Sequence, residues 1–330
     1  MDAVALAASL LAGGLVTGRV WAAVEAPTSP PAQPLRVLAV DARFDALNFV
    51  SKEGRLAAFC SGEGVRILDW INGGTVARFP ITGTEQGPMS VCSRGILAAG
   101  GPGRKTLVVW NVGNEKSMAT VTSPGAPFDS VACAPDGAWL AAGDHAGLVT
   151  VWDARGGLLH RLEGHIASVW ALACAPDGIH LASAADDNDV CLWDARSGRL
   201  VRRLDTFTHS TFALAWAPDG KRLYLGGASR AVTVVDPLTG AILGQTPRQP
   251  QAVSSLAISI DGRLLAAGGM SLVSVQQPGA LTIFDTAQFQ ERRRFLAHTG
   301  VVMGVAFGPD GTSVLSCSEF EPGIKVWAVP

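Results

Sequence analysis

The stretch GHIASVWALACAPDGIHLASAADDNDVCLWD, residues 164–194, decides the fold. It holds three short runs rich in β-branched, aromatic and small apolar residues, Val169 to Ala173, His180 to Ala184 and Val190 to Trp193. Turn formers separate them, and Leu200 to Leu204 adds a fourth run after Ser197-Gly198, the pattern of short strands joined by tight turns. Trp193-Asp194 stands 41 residues after Trp152-Asp153. The same ruler lands on Leu68-Asp69, Trp110-Asn111, Val235-Asp236, Phe284-Asp285 and Trp327-Ala328, with successive steps of 42, 42, 41, 42, 49 and 43 residues. A second marker precedes the second strand of each unit: Glu53-Gly54, Arg94-Gly95, Asp136-Gly137, Asp177-Gly178, Asp219-Gly220, Asp261-Gly262 and Asp310-Gly311. Both rulers share one phase, so the chain is built of seven units of four strands.

A four-stranded sheet of this size has two apolar faces and cannot cover them alone. Neighbouring units therefore stack face to face, and seven close a ring, an all-β seven-bladed β-propeller over residues 35–330. The last unit stops after its third strand, Ile324 to Trp327, while an unassigned strand, Leu35 to Val40, precedes the first. We expect Leu35 to Val40 to complete the last blade from outside and hide its edge.

The run Gly164-His165, Cys174 to Gly178, Leu181 to Ser183, Asp187 and Leu192 to Asp194 resembles a full unit of the WD-repeat β-propeller family, and the resemblance covers Leu35 to Pro330. It implies a hydrogen-bonded chain inside the blade formed by His165, Ser183, Asp187 and Trp193, each buried polar atom finding a partner. The last blade keeps His298, Ser316 and Trp327, with Glu319 or Glu321 in place of the Asp. Blade three has Ala142 and Ala146 at the Ser and Asp positions, and blades five and six lack the Trp.

Residues 3–18 carry no charge, and small residues at signal-cleavage spacing follow Arg19. Residues 1–26 read as a signal peptide or apolar N-terminal segment and 27–34, with four prolines, as a linker, so an exported or periplasmic location is expected. The Met1-Asp2 start, without a leading Lys or Arg, leaves a cytoplasmic or N-terminally anchored protein as the alternative. The apolar run is shorter than the roughly 20 residues of a spanning helix, so no stable membrane span is expected. With 26 basic against 28 acidic residues the chain lacks the electrostatic footprint of a nucleic-acid binder. A monomeric propeller is expected.

Several motifs resolve into scaffold. In Gly100 to Thr106, Arg104 separates Gly103 from Lys105 and a strand follows where a phosphate loop needs a helix, so it reads as a turn. Asp186-Asp187-Asn188-Asp189 reads as the blade turn rather than a calcium loop. Cys92, Cys133 and Cys174 share one first-strand position and Cys60 and Cys317 one second-strand position, which with Cys191 marks all six as core filler. Arg199, Arg202, Arg203 and Arg292 to Arg294 charge outer strands against edge pairing. No His pair at helical spacing and no Gly-x-Ser-x-Gly elbow occurs, so no catalytic, metal or cofactor residue is assigned.

The 49-residue step reflects an insertion between the second and third strands of blade six, around Met270 to Gly279, on the face of the Gly-His loops. Alignment of the first strands puts Asp129, Trp170, Phe212 and Met303 at one channel-mouth position. Asp129, Trp170, Phe212, Met270 and Met303 are thus the candidate partner-binding residues, and plugging the channel is their bland alternative. The expected function is a non-enzymatic scaffold that binds a protein or peptide on this face. The alternative is a propeller hydrolase or lyase with active residues converging on the channel.

Overall fold

The computed structural model describes residues 33–39, 41–50, 54–60, 62–81, 87–92, 94–204, 207–274 and 277–329. The signal and most of the linker, along with Val40 and Glu53, lie outside these residues. Seven four-stranded antiparallel sheets stand in a ring. Blade four, for example, comprises Val169–Cys174, His180–Ala185, Val190–Asp194 and Arg199–Leu204 from channel to rim. The first strand of each blade packs on that of the next, and blade seven returns to blade one, which closes the ring.

Closure is made by the N-terminal strand. Arg36–Leu38 lies outside Ile324–Ala328, with Arg36 opposite Val326 and Leu38 opposite Ile324, and Leu35 N–H donates to Val326 O at 2.7 Å. The strand is shorter than the Leu35 to Val40 read from sequence because Ala39 takes a positive φ of 47° and turns the chain towards blade one. Arg36 fixes that junction by donating to the Trp70 carbonyl at 2.7 Å and stacking over its ring.

Burial follows the layering. Second and third strands are sandwiched between blades and buried along nearly their whole length, whereas outer strands such as Arg199–Leu204 are exposed except at one end. Each apolar cluster therefore belongs to two neighbouring blades: Phe59, Ile67, Leu97 and Trp110 join blades one and two, and Phe44, Leu56, Leu315 and Val326 join seven and one. The repeated turn glycines, such as Gly178 and Gly220, sit at φ near +70°, where a side chain is strained, and this is why that ruler runs through all seven units. All six cysteines are free, and burial pushes the Cys133 and Cys191 thiols up to about 12.

Candidate functional site

Two blades carry a complete polar chain. In blade four Trp193 Nε1–H donates to Ser183 Oγ at 2.8 Å, Ser183 meets His165 Nε2 at 2.8 Å, and His165 Nδ1 meets Asp187 at 2.9 Å. One direction satisfies every atom: indole to hydroxyl, hydroxyl to imidazole, imidazole N–H to carboxylate. Asp187 also accepts the backbone N–H groups of Ile166 and Asp189, so it fastens two loops. Blade seven repeats the chain with Trp327, Ser316 and His298, and Glu321 is the carboxylate, 2.6 Å from His298 Nδ1. Burial, then Lys325, hold His298 down at about 4 against the pull of Glu321, so the ring is neutral near pH 7. Blade three lacks the chain, and its Trp152 Nε1 is buried with no partner among the described residues.

The channel mouth is shaped by β-bulges. The first strand of blades one, three, four, five and six shifts register around one residue: Asp45, Asp129, Trp170, Phe212 and Ser254. A bulge leaves the extra residue unpaired and re-aims its side chain. Three of these residues lean on the loop between the second and third strands of the preceding blade. Asp129 takes Arg104 Nη1 at 2.7 Å, the Trp170 ring meets His145 edge-on at 6.4 Å, and Asp45 feels the charge of Glu319. In blade seven Met303 precedes the first strand, partly buried against the blade seven–one core.

This geometry sorts the expected contact residues. Trp170, Phe212 and Met303 are partly exposed at the mouth. The structure corrects two others. Asp129 has a side chain 0% exposed, locked by Arg104 and by His145 at 3.0 Å, so its carboxylate serves the scaffold. Met270 is 4% exposed because it ends strand Leu264–Met270, paired with Ala252. The inserted loop is 271–278, in which Val273 is 76% exposed while Ser271 donates to Gln277 at 2.7 Å and Gln251 to the Pro278 carbonyl at 2.7 Å. Asp45 was missed by the sequence reading, although Phe44-Asp45 and Phe128-Asp129 share a pattern; Arg104 and His145 carry no linear signal, since their partners lie in other strands or blades.

Ser168, His145 and Asp129 superficially suggest a nucleophile relay. Ser168 Oγ and Asp129 Oδ2 both meet Nδ1 of His145, at 2.8 and 3.0 Å, whereas a relay divides the two ring nitrogens between base and orienting partner. Ser168 is only 6% exposed. The Asp186 to Asp189 turn is committed too, with Asp187 on His165 and Asp189 on Arg203. No group of three or more potential metal ligands stands together among the described residues. Among the same residues no helix is long and apolar enough to cross a membrane.

Three stretches match the family model described as WD domain, G-beta repeat: residues 116–153, 156–194 and 289–327. Each runs from the outer strand of one blade through the third strand of the next, so the sequence repeat straddles two sheets. The chain thus carries WD repeats within a seven-bladed propeller. No curated protein matches it. A chain of the solved structure "Crystal Structure of Mitotic Checkpoint Complex" is similar over 96% of this chain and 99% of its own length, with a TM-score of 0.76 at 22% identity, which establishes likeness of fold.

Proposed function

We propose that this propeller is a non-enzymatic interaction scaffold that binds a protein or peptide segment over the face carrying the Gly-His loops, and that it works outside the cytoplasm if residues 1–26 direct export. The observation that carries the reading is the set of bulges at one height of the ring, which bring Trp170 and Phe212, with Met303 beside them, to the channel mouth on a rigid support. Large aromatic side chains on rigid backbone lose little entropy on binding and concentrate its energy. The charged groups at the mouth fall into separate pairs, Asp129 with Arg104 and Asp45 with Glu319, rather than converging on one reacting position.

The test is affinity capture with the full chain, followed by titration of the captured partner. Trp170→Ala should weaken binding by about 2 kcal/mol or more, and Arg293→Ala on the exposed outer strand of blade six by less than about 1 kcal/mol. Equal losses from the two variants, or normal binding by folded Trp170→Ala, would remove the channel mouth from the interface.

A further inference from the structure

Blade five builds the place of the polar chain differently. Its register repeats that of blade four: Leu225 faces Thr233 as Ser183 faces Cys191, and Val235 lies between Leu223 and Ile242 as Trp193 lies between Leu181 and Leu200. The indole position of blade four is thus held by Val235 and the Ser position by Leu225. By repeat spacing Phe207 stands for His165 and Ser229 for Asp187. Other blades fill the Trp193 position with Leu68, Trp110, Trp152, Phe284 or Trp327, so Val235 is the smallest of the set.

The exchange opens a cavity of about 230 Å³ whose lining includes Phe207, Leu225, Ile242, Thr233, Gln245 and Arg248. Its floor is apolar. Its wall is polar, where Gln245 donates to Thr233 Oγ1 at 3.1 Å, and exposed Arg248 stands at the rim. It is smaller than the roughly 300–1,000 Å³ of sites for drug-sized ligands and only partly enclosed, which suits one side chain of a longer segment.

We propose that this pocket takes an aromatic side chain from an acidic segment of a partner protein, the incoming ring standing where blade four places its own indole and a neighbouring carboxylate meeting Arg248. The apolar floor selects the ring and the guanidinium selects the charge beside it. Trp170 is not among the lining residues, so this inference and the channel-mouth reading can fail separately.

The test titrates the full chain with acetyl-Asp-Trp-Glu-amide, the same peptide with Ala at its centre, and the same peptide with Asn and Gln for its acids, using ligand-observed NMR. The parent peptide should bind, and the Ala-centred one should lose binding. Arg248→Gln should weaken the parent peptide about fivefold, as for loss of a charge-assisted hydrogen bond, and leave the Asn/Gln peptide unchanged. Val235→Trp should fill the pocket and abolish binding. If that variant does not fold, Gln245→Trp, on the exposed outer strand, covers the pocket instead and should weaken binding about tenfold, the loss expected of a blocked anchor. Trp170→Ala should leave peptide affinity unchanged. Equal binding of the Trp and Ala peptides, an equal effect of Arg248→Gln on acidic and neutral peptides, or undiminished binding by a folded pocket-filled variant would each overturn the proposal.

Discussion

Asp45 is the buried group with the largest consequence for pH. It is 7% exposed, and neither carboxylate oxygen has a hydrogen-bond partner among the described residues. Burial, reinforced by the charge of Glu319, pushes its pKa up to about 7. In the unfolded chain a carboxyl titrates near 3.9, so between about pH 4 and 7 the folded state holds a proton that the unfolded state has released. Stability contributed by this group therefore falls as pH rises through that window, and the loss is complete above about pH 7. At 1.36 kcal/mol for each pH unit, a window of about three units corresponds to about 4 kcal/mol, and relaxation of the site reduces this to about 2 to 4 kcal/mol. Asp45→Asn resembles the protonated acid in shape and cannot ionise. In urea melts at pH 4, 6, 7 and 8 it should match the parent within about 1 kcal/mol at pH 4 and exceed it by about 2 to 4 kcal/mol at pH 8. Glu319→Gln removes the second cause and should shift the window towards lower pH. A difference between Asp45→Asn and parent that stays constant from pH 4 to 8, or an Asn variant less stable at pH 8, would refute the reasoning.

Three further outcomes are expected. Removal of residues 1–39 should lower the unfolding midpoint well below that of a chain lacking 1–33, because it strips the Arg36–Leu38 ladder from blade seven and uncovers buried Leu38; equal midpoints would dismiss the closure strand as a stabiliser. Asp187→Ala should cost about 1 to 3 kcal/mol in denaturant melts, since it leaves His165 and two loop N–H groups without their acceptor, and a loss below about 0.5 kcal/mol would mean that the chain contributes little. Ala142→Ser places a hydroxyl where blade four has Ser183 and should stabilise blade three by about 1 kcal/mol by giving Trp152 Nε1 an acceptor, so an unchanged or lowered midpoint would count against that account.

The sequence by itself determined what depends on residues close along the chain. Strand runs, Asp-Gly turns that need a positive φ, and the repeat of about 42 residues are local, and together they set seven blades and the closure strand. The chain His165, Ser183, Asp187 and Trp193 was legible because all four lie within one repeat. Tertiary structure decided what depends on neighbouring blades. The sequence left Glu319 and Glu321 as equals, but strand pairing puts Glu321 against His298 and Lys325 and leaves Glu319 near Asp45 of the next blade. Asp129 and Trp170 hold one aligned position, yet Arg104 reaches across from blade two to bury the first while the second stays partly open. Met270 looked like loop because the step is long, and the ladder to Ala252 makes it strand. A repeat fixes where a side chain starts, whereas its exposure and charge depend on which side chains the adjoining sheet brings against it.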